Sequence, residues 1–301
     1  MRVEGTRTRF SQRHPFVFGV LMIILAVVLL MGTMAFFRSM GWTPESLAMS
    51  GKDKIGVVHV EGMIFDSTEV VRWIKELKDD TSVKGVLLRV NSPGGAIAPS
   101  QEMYQAVKEL NMVKPVVASY GSVAASGGYY CSVPSQLIFA NPGSITASIG
   151  VMAEFVTVTE FMEKVGIKPE VLTTGKYKAA GTPIRDLTDD QRAQMLDLMQ
   201  DLHEQFVDHV AAARHMDRDK VAAVADGRAV SGRQALQLGL IDELGSMSQA
   251  VVRLKELSGI QGEAVLLEGP VKEYSLIQEI LGAVHIDISS GMPSGVSFSY
   301  K

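Results

Sequence analysis

Two glycine pairs, each placed after an apolar run, are the first features of the chain that could support chemistry. The first is N-S-P-G-G, Asn91 to Gly95, and the second is A-S-G-G-Y-Y, Ala125 to Tyr130. A glycine pair after a strand lets the backbone approach a ligand closely and leaves N–H groups free to donate. Neither is a phosphate loop, because the sequence contains neither G-x-x-x-x-G-K-[ST] nor G-x-G-x-x-G.

Ser126 is the candidate nucleophile within the second glycine element. It lies between small residues at a predicted strand-to-helix turn, where its Oγ is accessible and its own N–H points along the helix N-terminus. That is the geometry of a nucleophile with half of an oxyanion hole. The same residues also suit an ordinary tight turn, since Ser and Gly are both common there.

A serine nucleophile needs a general base, and the histidines of this chain are poorly placed to supply one. His59 lies inside an apolar strand, His14 and His285 lie near the two ends of the chain, and the others lie on or beside a predicted amphipathic helix, namely His203, His209 and His215. The motif H-E-x-x-H of zinc proteases is absent. The sequence therefore predicts no metal and no cofactor.

Lys178 is the other candidate base. It lies in G-K-Y-K-A-A-G-T-P, where small neighbours could desolvate its amine. With a reference pKa near 10.4, roughly one lysine in 2,500 is neutral at pH 7, so burial has to lower the pKa by about 3. The alternative is a charged lysine in a surface loop, because lysine is almost never fully buried.

The elements that must position these residues alternate between strands and helices after residue 53. Near-continuous apolar strands separated by helices predict a mostly parallel sheet that is covered on both faces. The predicted strands are 55–64, 83–90, 115–120, 136–140 and 170–173, and the predicted helices begin at Ser67 and Ser100 and span 189–215 and 231–239.

An uncharged run of 22 residues, Phe16 to Phe37, precedes these elements. At 1.5 Å per residue it measures about 33 Å, enough to cross a hydrocarbon core of about 30 Å, and it is too long for a signal-peptide apolar region. Four arginines lie before this span and one, Arg38, directly follows it. The positive-inside rule then predicts a single-pass protein with a cytoplasmic N-terminus and an exported domain.

Charge and composition exclude several classes of protein. The 301-residue chain has a net charge of −4, and residues 1–40 carry five Arg and one Glu, so the remainder has a net charge of −8. An acidic domain is a poor ligand for nucleic acid. An apolar fraction of 47% and one Cys exclude a disordered chain and a disulfide scaffold.

Five sequence segments in a fixed order give the chain a family resemblance. N-S-P-G-G and A-S-G-G-Y-Y are followed by N-P-G-S-I-T-A-S-I-G-V (141–151), G-K-Y-K-A-A, and D-G-R-A-V-S-G-R-Q-A-L-Q-L-G-L-I-D-E-L-G (226–245). Over residues 55–260 the chain resembles the signal peptide peptidase A family of bacterial membrane proteases. The resemblance implies an α/β fold, the crotonase-like, Clp-protease-like fold of stacked ββα units, preceded here by one transmembrane helix.

The resemblance also implies roles for individual residues. Ser126 matches the nucleophile and Lys178 the general base of a Ser/Lys dyad, whereas the adjacent Lys176 does not match. Ser148 matches a serine that hydrogen-bonds the dyad lysine. Gly94 and Gly95 match the element that supplies the second oxyanion N–H, and the sequence does not decide which of them donates.

The resemblance is to the short form of the family, which has one copy of the domain where long members have two. It implies a ring-like homo-oligomer, in which Ser126 meets Lys178 of the same chain or of a neighbour. Both arrangements are compatible with the sequence.

The sequence thus predicts a membrane-anchored serine endopeptidase that degrades residual signal peptides and other unfolded apolar segments after export. We expect it in the bacterial plasma membrane, as a cytoplasmic N-terminus (1–15), a transmembrane helix (16–37), a linker (38–53), a protease domain (54–283) and a flexible tail (284–301). The alternatives are a catalytically degenerate membrane scaffold, an acyl-CoA enzyme of the crotonase type and, more remotely, a protease that uses Cys131.

Overall fold

The computed structural model describes residues 14–39, 53–270 and 298–300. The chain forms two compact units, Met1–Lys52 and Asp53–Lys301. In the first unit, helix α1 (Pro15–Ser39) contains a stretch, Phe16–Thr33, that is long and apolar enough to cross a membrane. The predicted N-terminal segment and most of the predicted linker and tail lie outside the described residues.

The strands of the second unit form one ten-stranded sheet within the described part of the chain. Most of the predicted strands are present, and several short ones are added. The strands are β1 (Lys54–Ile64), β2 (Val83–Ala96), β3 (Val116–Ala125), β4 (Leu137–Ala140), β5 (Ile145–Ala147), β6 (Met152–Ala153), β7 (Ala229–Ser231), β8 (Glu243–Leu244), β9 (Val265–Gly269) and β10 (Phe298–Tyr300).

The helices of this unit follow the strands closely. Three of them begin with a capping box, in which a Ser or Thr side chain and the Gln three residues later satisfy each other's backbone N–H groups. The helices are α2 (Thr68–Asp79), α3 (Ile97–Asn111), α4 (Gly127–Ser132), α5 (Thr159–Lys164), α6 (Asp189–Arg214), α7 (Arg218–Ala222), α8 (Gly232–Gln237) and α9 (Met247–Leu257).

The centre of the sheet is parallel, as predicted. Strand β2 pairs with β1 and β3, β3 pairs with β4 and β5, and the outer strands β9 and β8 pair with β1 and β4, all in parallel. Strands β7 and β10 pair antiparallel with their neighbours. Because parallel strands end at the same edge of a sheet, the last residues of β2, β3 and β5 lie together there.

Both faces of the sheet are buried, which confirms the predicted α/β architecture. Alternate residues along the central strands enter different cores, because successive side chains of a strand point to opposite faces. One core contains Val58, Leu88, Ala118 and Ile138, while the other contains Val57, Leu87, Val117 and Phe139.

Several local predictions are wrong. Helix α3 begins at Ile97, so Ser100 lies inside it and its Oγ donates to the Ala96 carbonyl oxygen at 2.8 Å instead of capping. Ser67 precedes α2, but its hydroxyl donates to Glu102 rather than to the helix. Residues 170–173 form no strand; Leu172 is 87% exposed, and this stretch pairs with no strand of the sheet.

Candidate active site

Ser126 lies between strand β3 and helix α4, as the sequence predicted. Its backbone has φ 52° and ψ −116°, a conformation that side-chain-bearing residues rarely adopt. The residue is fully buried, so the expectation of an accessible Oγ is wrong for the single chain, and its Oγ has no hydrogen-bond partner in the described structure. A buried hydroxyl without a partner and a strained backbone both destabilise a fold, and both are features of functional sites.

Two tyrosines of α4 anchor the turn that presents Ser126. Tyr129 and Tyr130 are fully buried. The Tyr129 hydroxyl donates to the Leu240 carbonyl oxygen at 2.8 Å, and the Tyr130 hydroxyl is hydrogen-bonded to Nδ1 of His209. The Tyr130 N–H donates to the Ser126 carbonyl oxygen at 2.8 Å, which closes the first turn of α4. The position of Ser126 is therefore tied to the core.

The two glycine elements pack directly against each other. A Cβ placed on Gly127 would lie 3.2 Å from the Gly95 nitrogen, and one placed on Gly128 would lie 2.7 Å from the Ser92 carbonyl oxygen. Only residues without a side chain fit at this contact. The two glycine motifs, N-S-P-G-G and A-S-G-G-Y-Y, thus form one structure at the edge of the sheet.

Two of the N–H groups in this structure are already engaged. The Ser126 N–H donates to the Ala147 carbonyl oxygen at 2.7 Å, and the Gly94 N–H donates to Ser92 Oγ at 3.1 Å. The Ser126 N–H, predicted from the sequence to be an oxyanion donor, already has an acceptor, and this geometry argues against that role.

Gly127 supplies the free N–H that the sequence analysis missed. It is the first residue of α4, and its N–H has no acceptor within the described residues. The first N–H groups of any helix lack an intrahelical acceptor, so the helix predicted after Ser126 was itself the signal. Of the two predicted glycines, Gly95 is the one whose nitrogen faces Gly127.

Ser148 lies at the end of β5, one residue beyond Ala147. It is 8% exposed and has φ 52°. Its Oγ donates to the Gly227 carbonyl oxygen at 3.2 Å. Ser148 thus directly follows the residue whose carbonyl oxygen accepts the Ser126 N–H.

Lys178 is not hydrogen-bonded to Ser126 within this chain. It is exposed, and its backbone N–H donates to the Gly175 carbonyl oxygen at 3.2 Å in a run of turns. The neighbouring Lys176 forms an ion pair with Asp190 at 2.6 Å, and this hydrogen bond raises the pKa of Lys176. Lys176 is therefore held in the charged form, which cannot act as a base.

Cys131 is fully buried in α4, and its Sγ donates to the Gly128 carbonyl oxygen at 3.3 Å. Burial raises the pKa of this thiol to about 12. Since the thiolate is the reactive form of cysteine, Cys131 is a core residue rather than a nucleophile.

Comparison with known proteins identifies the family of the chain. The model of peptidase family S49 matches residues 108–261. A Synechocystis sp. protein named as a candidate protease is 35% identical over 235 residues, which are 77% of this chain and 84% of that protein. An Enterococcus faecium protein named as a candidate signal peptide peptidase is 32% identical over 79% of this chain and 72% of its own length.

Two further similarities involve more distant proteins. The chloroplast serine protease SPPA of Arabidopsis thaliana is 31% identical over 70% of this chain, which spans 33% of that protein. A solved ClpP1 mutant from Listeria monocytogenes covers 65% of this chain and 94% of its own length, at 13% identity and a TM-score of 0.43.

The α/β sheet, the matching peptidase family and the proteases similar in sequence define a serine protease. More particularly, the chain belongs to peptidase family S49, the signal peptide peptidase A family.

Proposed function

We propose that the chain is a serine endopeptidase in which Ser126 is the nucleophile and Lys178 the general base. The observation that carries this proposal is Ser126 itself, which is strained, buried and without a hydrogen-bond partner at the N-terminus of α4. An unsatisfied hydroxyl in such a position is costly to the fold, and a role as nucleophile explains why it is there.

In the proposed reaction, neutral Lys178 takes the proton of Ser126 as Oγ attacks the scissile carbonyl carbon. The N–H of Gly127, together with that of Gly95, stabilises the oxyanion. Lys178 then returns the proton to the leaving amine, which leaves an acyl-enzyme. Water attacks this ester with Lys178 as base, and Ser126 regains its proton as the acid product departs.

The proposed dyad forms between two copies of the chain. Helix α5 buries none of its residues, and three apolar side chains near Lys178 in sequence, Val156, Phe161 and Leu172, are 68%, 65% and 87% exposed. Exposed apolar surface of this kind is typical of an interface. A second copy that covers it desolvates the Lys178 amine, and desolvation lowers the pKa of a lysine.

Strand β10 supports a peptide substrate bound in extended form. It pairs antiparallel with β2 at Gly95 and Ala96 on one side and with β6 at Met152 and Ala153 on the other. An extended segment therefore fits between these two strands, next to the glycine that faces Gly127. Adding a strand to a sheet edge is a common mode of peptide recognition, in which main-chain hydrogen bonds supply affinity.

The proposed location is the bacterial plasma membrane, with α1 as a single-pass anchor and the protease domain outside the cytoplasm. The proposed substrates are residual signal peptides and other unfolded apolar segments. Helix α1 is long and apolar enough to span the bilayer, and the Enterococcus faecium relative is named for signal peptides. An anchored protease meets apolar cores of such peptides where they are released.

A subunit-mixing experiment tests the dyad. Ser126→Ala and Lys178→Ala should each abolish cleavage of an apolar fluorogenic peptide by the full-length protein in detergent. If the two variants are dissociated, mixed in equal amounts and reassembled, about one quarter of the sites pair an intact Ser126 with an intact Lys178. We therefore expect about a quarter of the wild-type activity to return.

Lys176→Ala is the matched control, because it removes a lysine two residues away. It should keep most of its activity, since Lys176 is paired with Asp190. Full activity in Ser126→Ala contradicts the proposed nucleophile, whereas a catalytically degenerate scaffold would show no cleavage even as the wild type. Inactive single variants that give no activity after mixing contradict a dyad shared between chains.

A further inference from the structure

Two residues beside the nucleophile are strained in the same way as the nucleophile itself. Ala147 and Ser148 have φ values of 61° and 52°, in the left-handed region that residues with a side chain seldom occupy. Ala147 accepts the 2.7 Å hydrogen bond from the Ser126 N–H. The backbone of Ser126 is thus fixed by a peptide that is itself held in a costly conformation.

The D-G-R turn, residues 226–228, holds this strained peptide in place. The Ser148 N–H donates to the Arg228 carbonyl oxygen at 3.0 Å, and the Ser148 Oγ donates to the Gly227 carbonyl oxygen at 3.2 Å. In return, the Gly227 N–H donates to the Ile149 carbonyl oxygen at 3.0 Å. These bonds extend the antiparallel pairing of β5 with β7 past Ala147.

Hydrogen bonds within the turn also restrict its conformation. The Arg228 Nε donates to both carboxylate oxygens of Asp226 at 2.8 Å, and the Arg228 backbone N–H donates to Asp226 Oδ1 at 3.1 Å. This hydrogen-bonded arginine lowers the pKa of Asp226 to about 2, so the carboxylate is charged at neutral pH. Gly227 has φ +84°, where a side chain is strained although the space around it is open.

We propose that the D-G-R turn is a positioning element that sets the reactivity of Ser126. The proposal rests on Ser126 being the nucleophile. When the turn is loosened, Ala147 and Ser148 relax toward negative φ and the Ala147 carbonyl oxygen moves. Ser126 then loses the acceptor of its N–H, and its Oγ leaves the position from which it attacks. Strands β2 and β6, which pair with β10, take no part in the hydrogen bonds of the turn. Loosening the turn therefore leaves the affinity for substrate unchanged.

The test compares Asp226→Ala with Asp208→Ala. Asp208 also forms an exposed ion pair, with Arg218 at 2.6 Å, so its removal reproduces the loss of a surface charge pair. We expect Asp226→Ala to lower kcat and the rate of Ser126 labelling by a fluorophosphonate on the order of 10²-fold, with KM nearly unchanged. Asp208→Ala should retain the wild-type values.

Two further variants sharpen the test. Asp226→Asn keeps an acceptor for the Arg228 N–H and should recover most of the labelling rate. Gly227→Val leaves the ion pair intact but strains the turn, and should lower kcat as Asp226→Ala does. Thermal unfolding shows whether each variant is folded.

The outcomes separate this inference from the proposed function. If Asp226→Ala and Gly227→Val lower the unfolding temperature but keep kcat and the labelling rate, the turn is only structural and the inference is wrong. Ser126→Ala must be inactive in the same assay. If it is active, the proposed nucleophile fails, whatever the turn variants do.

Discussion

Gly127 and Gly95 touch across the edge of the sheet, with the position of a Gly127 Cβ only 3.2 Å from the Gly95 nitrogen. The same Cβ would lie 2.5 Å from Ser100 Oγ. A side chain at residue 127 would therefore force the backbone around the free Gly127 N–H to shift.

The first prediction is that Gly127→Ala loses catalysis. The methyl group would lie 2.5 Å from Ser100 Oγ and 3.2 Å from the Gly95 nitrogen, so the backbone around the Gly127 N–H has to shift, and the loss of one oxyanion donor typically costs about 10² to 10³ in kcat. Steady-state hydrolysis of an apolar peptide measures the loss. Gly143→Ala is the control, since nothing lies within 4 Å of its Cβ position, and it should be fully active.

The second prediction concerns residues 298–300. Because β10 occupies the strand position between β2 and β6, it competes with a peptide substrate for the same backbone groups. Deleting residues 298–301 should therefore lower KM for a peptide severalfold and leave kcat unchanged. An unchanged KM would mean that substrates bind elsewhere. The deleted segment, added as a synthetic peptide, should restore the higher KM.

The third prediction is a loss of stability at mildly acidic pH that depends on His209. Burial, reinforced by Lys108, lowers the pKa of His209 below its ordinary value of 6.5. The unfolded chain then binds a proton more readily than the folded one. The stabilising contribution is complete above about pH 6.5 and is lost as the pH falls from there through the folded-state pKa.

Urea midpoints at about pH 7.5 and 5.5 measure this effect. We expect the wild-type midpoint to fall on acidification and that of His209→Gln to fall less. His203→Gln, on the same helix, should behave as the wild type. Equal falls in the wild type and in His209→Gln would assign the acid sensitivity to other groups.

The fourth prediction is that Cys131 is inert. Its thiol is fully buried and has a pKa of about 12, so iodoacetamide at pH 8 should leave it unmodified in the native protein and alkylate it rapidly in guanidinium. Cys131→Ala should retain peptidase activity. Mass spectrometry and the peptide assay measure the two outcomes, and a lost activity in a folded Cys131→Ala protein would reopen the cysteine mechanism.

The sequence pattern predicted those helices and turns whose conformation is determined by residues that are close in sequence. The long helix predicted over 189–215 is α6, and Thr188 and Gln191 provide its capping box. The strand-to-helix turn at Ser126 was predicted because small residues follow a buried strand. In each case the neighbours in sequence determine the conformation.

The errors arise where distant parts of the chain decide the structure. Strands β2 and β3 were predicted to end at Val90 and Tyr120, but they continue to Ala96 and Ala125. The register shifts after Val90, and the bulge allows Ser92 to pair with Ala124. Local propensity does not predict that a strand extends further because it pairs with a neighbouring strand.

In the candidate site too, local features were predicted from the sequence, whereas features that depend on distant residues were not. The grouping of Ser126, Gly94, Gly95 and Ser148 agrees with the motifs, because those motifs end adjacent strands. The engagement of the Ser126 N–H by Ala147 depends on β5, whose pairing is not encoded beside Ser126. Lys178 is exposed and is not hydrogen-bonded to Ser126 within this chain, and its pairing with Ser126 across two copies of the chain stays a proposal.

The order of strands in the sheet also determines at which stage of folding the surroundings of Ser126 form. Strand β1 is flanked by β2 and by β9, which come from opposite ends of the folded domain. The turn that holds Ala147 likewise lies far along the chain from Ser126. Such non-local pairing forms late in folding. In the proposed mechanism, Ser126 therefore reaches its reactive geometry only after synthesis has passed residue 228, whose carbonyl oxygen accepts the hydrogen bond from the Ser148 N–H.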